Sequence, residues 1–148
     1  MSKADVKTIE DIIKPCGTHK RKAIYIKEVA NRLVSDFNGI VPNDRNYIES
    51  LPGVGHKTCN ILLSNIYNVP AMAVDTHVTR VSKRLGFASE KDNVSIIEKK
   101  LMKIIDKKEW IRRHHQLVLF GRYTCKAIKP DCSNCLLKDN CKYYKKVK

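Results

Sequence analysis

The chain has no apolar run approaching the roughly 20 residues that a bilayer-spanning helix needs, which excludes a membrane-spanning helix. Its first residues, MSKADVKTIEDII, lack a basic stretch followed by an apolar one, so no secretion signal is read there. Strand-like alternation of apolar and polar residues is missing, as are internal repeats and low-complexity linkers. Acidic residues are scarce: 15 Asp and Glu stand against 29 Lys and Arg, a net charge of +14. These absences point to a protein of the cytoplasm, where cysteines stay reduced and grouped thiols tend to bind metal. A basic surplus spread along the whole chain favours polyanions, of which nucleic acid is the commonest in a cell. The same surplus also fits solvated lysine-rich faces, so charge proposes a partner without identifying it.

What is present is helical periodicity, in 148 residues of which 43% are hydrophobic, enough for one domain or two small lobes with a real core. Residues 5–14 place Val6, Ile9, Ile12 and Ile13 on one face, and residues 19–36 continue with Ala23, Ile26, Ala30, Leu33, Val34 and Phe37 until Gly39. A short helix is predicted over 45–50, and another from His56 to Tyr67 that Pro70 ends. Asp75 precedes a helix bearing Val78, Val81 and Leu85 that stops at Gly86. Ser95 and Glu98 have the spacing of a capping box, opening a helix with Ile97, Leu101, Ile104 and Ile105 on its buried side. A last helix is predicted around 110–120. The fold class read from this pattern is all-α.

The stretch Leu51-Pro52-Gly53-Val54-Gly55-His56-Lys57-Thr58 is the most informative. Proline and two glycines allow a tight turn whose backbone can approach a ligand closely, and the amides of that turn with the following helix start suit a phosphate. Val54 is expected to plug the turn into the core. Two short helices around such a turn form a helix-hairpin-helix, over about 45–67, which grips a DNA backbone without reading sequence. Gly53, Val54, Gly55, His56 and Thr58 are the expected DNA contacts. Lys57 falls in the first turn of the second helix, where the positive end of the helix dipole disfavours an ammonium, and neutral amine is the form that attacks a sugar carbon. Position alone favours a lysine that only contacts phosphate. Asp75 adds a carboxylate at a helix start; an N-cap is its routine role, and taking up protons or stabilising charge on a sugar ring is compatible with it.

Four of the six cysteines, Cys125, Cys132, Cys135 and Cys141, follow the pattern C-x6-C-x2-C-x5-C. Disulfides are disfavoured without a secretion signal. A single CxxC pair with two unequal arms suits an iron–sulfur cluster better than zinc, though spacing leaves both open. Cys59 reads as a small core residue, and Cys16 carries no assigned chemistry.

LPGVGHKT at 51–58, AVDTHVTRVSKRLGF at 73–87, HH-x4-FGRYTCKAIKPDC at 114–132 and the four-cysteine spacing together resemble the endonuclease III family of DNA glycosylase/AP lyases, from near residue 6 to the C-terminus. The resemblance implies a helix-hairpin-helix glycosylase fold and a [4Fe-4S] cluster on Cys125, Cys132, Cys135 and Cys141, rather than zinc. It implies Lys57 as the nucleophile that displaces a damaged base, forms a Schiff base and cuts the strand by β-elimination, with Asp75 assisting. It places Lys126 and Lys129 against DNA phosphates. The implied partner is double-stranded DNA with oxidised pyrimidines or abasic sites, the damaged nucleotide being flipped out. A monomer at the nucleoid is expected. Lys57 sets the chain apart from the adenine-mismatch glycosylases, which share the aspartate and cysteine loop but lack this lysine. His56 stands where the family more often has arginine, which should weaken one phosphate contact.

The match begins well inside the family's pattern, so about the first third of the family's length is expected to be missing. The expected division is residues 1–70, a partial helical barrel with the hairpin, and 71–148, a helical lobe ending in the cluster loop at 125–141. Without the missing helices the apolar faces of 5–14 and 19–36 are expected to lack partners. Two alternatives to the full enzyme follow: a non-catalytic DNA-binding remnant, or a lyase acting on abasic sites only.

Overall fold

A computed structural model describes residues 1–147. Its α-helices are α1 (Val6–Ile12), α2 (His19–Phe37), α3 (Arg45–Glu49), α4 (His56–Tyr67), α5 (Thr76–Leu85), α6 (Val94–Ile104), α7 (Trp110–Tyr123) and α8 (Lys142–Val147). No strand occurs among the described residues, and no described helix is long and apolar enough to cross a membrane.

Short polar side chains start several of these helices. Asp5 accepts the amides of Lys7 and Thr8, Asp44 that of Tyr47, Asp75 that of Val78, and Asn93 that of Ile96. Each supplies an acceptor to a first-turn amide that has none within its helix. Asn93 displaces the expected capping box: the helix begins at Val94, so Ser95 lies inside it, and the Glu98 carboxylate accepts from Asn60 Nδ2 at 3.4 Å. Gly86, in the left-handed region at φ 92°, ends α5 as expected.

Contacts group the chain into two compact units, Met1–Cys59 and Asn60 onward, so the division falls within α4, whereas the sequence suggested 70/71. In the first unit α1 packs on α2, burying Ile9 and Ala23, and Lys27 Nζ donates to the carbonyls of Ser2 and Ala4. The far end of α2 is tied to α3: the Tyr47 hydroxyl donates to Asp36 at 2.9 Å, its ring meets Phe37 edge-on at 4.6 Å, and Arg32 donates to the Ser50 carbonyl at 2.9 Å. Ile48 and Leu51 are buried below. Burial of the α1 and α2 stripes is incomplete, since Ile12 is 70% and Val34 50% exposed. Along α2, Tyr25, Ile26, Val29, Ala30 and Leu33 line an open apolar groove of about 650 Å³ with Pro52 and Val54.

The second unit has a continuous core of Met72, Val74, Val78, Ala88, Ile97 and Leu101, with Trp110, Leu117 and Val118 packed against it. The Trp110 indole donates to the Ile105 carbonyl at 2.8 Å, which satisfies the polar edge of this large ring. On α6 the buried residues are Ile97 and Leu101, while Ile104, expected inside, is 58% exposed. Leu101→Ala should therefore destabilise the protein by about 2–5 kcal/mol in urea unfolding, whereas Ile12→Ala should change it by less than about 0.5 kcal/mol. Equal effects of the two changes would contradict this placement of the core.

Candidate functional site

The hairpin lies between α3 and α4. Val54 N–H donates to the Leu51 carbonyl at 3.1 Å, closing the turn, and Cys59 N–H reaches back to the Gly55 carbonyl at 3.0 Å, starting α4. Gly53 has φ 75°, and a Cβ there would stand 2.5 Å from the Tyr25 ring, so both conformation and packing demand glycine. A Cβ on Gly55 would meet nothing within 4 Å, so the backbone here faces open space that a ligand can approach. Val54 is half-buried rather than a full core plug, and His56, Lys57 and Thr58 are exposed in the first turn of α4. Cys59, one residue further on, is fully buried as expected, and burial pushes its thiol up.

The His56 ring lies 3.2 Å from Glu49 Oε1, which also accepts from Arg45 at 2.9 Å. Arg45, and then His56, hold the Glu49 carboxyl below the usual carboxylate range. A carboxylate thus stands beside a ring expected to contact phosphate.

Asp75 belongs to the second unit, Lys57 to the first. Asp75 Oδ1 accepts the Val78 amide at 2.8 Å, the N-cap role, and its carboxyl stays half-exposed at the start of α5. Further along α5, two arginines one turn apart hold the segment that follows α7. Arg80 donates from Nε to the Cys125 carbonyl at 2.9 Å and from Nη2 to the Gly121 carbonyl at 2.6 Å. Arg84 donates from Nη1 to the Lys126 carbonyl at 2.7 Å and to Cys125 Sγ at 3.4 Å, and from Nη2 to the Ala127 carbonyl at 3.2 Å. Its guanidinium lies 4.5 Å from the Tyr143 ring centroid.

Cys125, Cys132, Cys135 and Cys141 all line one small cavity, closed by Leu85, Phe120, Pro130, Tyr143 and Tyr144. Burial, and then the sulfurs of Cys125, Cys141 and Cys135, push the Cys132 thiol up. Two N–H groups point at sulfur, Arg84 at Cys125 and Leu137 at Cys135, the latter at 3.4 Å. Among the described residues no three His, Cys, Asp or Glu side chains converge on one metal-ion position. Four thiols around a shared cavity with cationic and amide donors fit a bulkier thiolate-ligated core better than a single ion. Lys126 and Lys129 are exposed on the loop between Cys125 and Cys132, Lys129 at φ 48°.

Sequence reasoning overlooked Arg80, Arg84, Glu49 and Tyr25. Their one available signal was the i, i+4 spacing of Arg80 and Arg84 on a helix, which marks a shared face without naming its acceptors.

A family model described as the HhH-GPD superfamily of base excision DNA repair proteins matches residues 1–107. Endonuclease III of Bacillus subtilis (strain 168) is 46% identical over 134 residues, covering 90% of this chain and 61% of its own length. Endonuclease III of Escherichia coli (strain K12) is 42% identical over 147 residues, 99% of this chain and 69% of its own. Among solved structures, a trapped endonuclease III–DNA covalent intermediate superposes with a TM-score of 0.92 at 46% identity, covering 99% of this chain and 68% of that one. A thermostable thymine-DNA glycosylase superposes at 0.79 with 28% identity, covering 97% of this chain and 68% of that one. The chain therefore spans 61% of the Bacillus subtilis protein and 69% of the Escherichia coli one. With a superfamily model matching residues 1–107 and a relative 42% identical that is covered over 69% of its length, the chain belongs to the endonuclease III family, within the HhH-GPD superfamily of base excision DNA repair proteins.

Proposed function

We propose that the chain is a DNA glycosylase and abasic-site lyase acting on double-stranded DNA that carries oxidised pyrimidines or abasic sites, with Lys57 as nucleophile. The observation that carries this reading is the hairpin itself: an exposed lysine in the first turn of α4, two residues after a glycine whose backbone faces open space. The similar endonuclease III has been trapped as a covalent intermediate with DNA, which supports a covalent route.

The chemistry needs a neutral amine, an acceptor for protons and a grip on the backbone. Neutral Lys57 Nζ attacks C1′ of a flipped-out nucleotide; the bond from C1′ to the base breaks, and the base leaves with that electron pair and is protonated. Opening of the sugar ring leaves a protonated Schiff base between Nζ and C1′. Loss of a C2′ proton then expels the 3′ phosphate, cutting the strand, and water releases the lysine. Asp75 receives the proton shed by the amine and opposes the positive charge that builds on the sugar. Its cap to Val78 fixes the carboxyl without consuming both oxygens. The amides of Gly53 and Gly55, with Val54, His56 and Thr58 around them, contact phosphate on the hairpin side, and Lys126 and Lys129 do so from the cysteine loop. Cys125, Cys132, Cys135 and Cys141 hold a [4Fe-4S] cluster, which when bound gives a loop poor in secondary structure a rigid core. The protein works as a monomer.

Incubation with abasic duplex and borohydride should give a covalent protein–DNA band that Lys57→Ala abolishes; no band from the wild-type chain would sink the enzyme reading. Asp75 separates cap from chemistry. Asp75→Asn keeps a capping side chain, so stability should hold within about 0.5 kcal/mol, while the single-turnover rate falls by about 10²–10⁴-fold. Asp75→Ala should lose both. A normal rate in Asp75→Asn would reduce Asp75 to a cap.

A further inference from the structure

We infer that Arg84 is the positioning residue of the cysteine loop: it pins the Cys125–Ala127 segment to α5 and donates a hydrogen bond to the Cys125 sulfur when that sulfur ligates a cluster. The inference rests on the proposed assignment of the cluster to the four cysteines.

The guanidinium presents its N–H groups in a planar fork, and here the fork is spent on one short segment. It reaches the Lys126 and Ala127 carbonyls and Cys125 Sγ, and it lies over the Tyr143 ring, two residues after Cys141. One side chain therefore touches both ends of the cysteine motif. The opposite contact runs back to the same residue, since Cys141 Sγ lies 3.4 Å from the Arg84 carbonyl. Arg84 is in the last turn of α5, where the helix dipole favours a cation, so the charge is stabilised before any ligand arrives. A thiolate-ligated cluster is anionic, and a cationic N–H donor to one of its sulfurs favours the more reduced state and resists loss of that ligand. Lysine places a point charge but cannot reproduce the fork. Among the described residues Arg80, one turn earlier, bonds carbonyls and the His77 ring and no sulfur, which separates the two roles.

The test compares the full wild-type chain with Arg84→Leu and Arg84→Lys, each checked for helical content by circular dichroism. Iron and sulfide per chain, the rate at which a chelator strips the cluster, and the midpoint potential at an electrode are measured. Arg84→Leu should lose its cluster about 10–100-fold faster, with the midpoint shifted to lower potential. Arg84→Lys should also lose it faster, with a smaller shift in potential. If Arg84→Leu does not fold, Arg84→Lys decides: faster loss supports the role and wild-type loss overturns it. A loaded wild type with an unchanged Arg84→Leu overturns the Arg84 role alone. A wild-type chain without iron and sulfide overturns the cluster assignment, and the Arg84 role with it.

Discussion

At Gly121 the backbone of α7 comes so near α5 that a Cβ would stand 2.9 Å from His77 Cβ and 3.1 Å from the Val81 side chain. No other residue allows two helices to meet this closely without displacing one of them. The second unit depends on that approach. It brings the Gly121 carbonyl to Arg80 and the turn after α7 to Arg84, so that α5 carries a carboxylate at one end and holds the cysteine loop at the other. A change that parts α5 from α7 therefore loosens the hold on the cysteine loop, whereas the Asp75 cap is internal to α5.

The first unit works by a different device. Its hairpin is shaped by Tyr25 pressing under Gly53, and that ring is part of the same α2 stripe that lines the open apolar groove. The turn therefore rests on a helix whose apolar stripe is only partly covered: Ala23 is buried, while Val34 is half exposed. Beside it the Glu49 carboxylate, paired with Arg45 and His56, places a negative charge where the overall +14 would lead one to expect only cations. Net charge steers a polyanion toward the molecule, but local pairing decides which cations remain available to it.

Much of the fold was legible because helix ends are encoded locally. Asp75, Gly86 and the LPGVG turn act through neighbours three or four residues away, and each appears where expected. The Ser95–Glu98 spacing misled because Asn93, two residues earlier, is an equally good cap and wins by accepting the Ile96 amide. Ile104 misled because periodicity marks a stripe wider than the surface actually covered. The Arg80 and Arg84 contacts were invisible for another reason. Their acceptors are backbone carbonyls more than forty residues on, and carbonyls leave no mark in a sequence. The four cysteines were found by spacing, yet their shared cavity is made by Leu85, Phe120, Pro130 and two tyrosines that no spacing selects.

The proposed chemistry puts the covalent bond on one lysine among many, and locating that bond tests it. Wild-type protein is reduced with borohydride on abasic DNA, digested with nuclease and protease, and its peptides are weighed by mass spectrometry. The reduced sugar remnant should be found on the peptide containing Lys57 and on no other. A remnant on a different lysine, or on several in similar amounts, would contradict it.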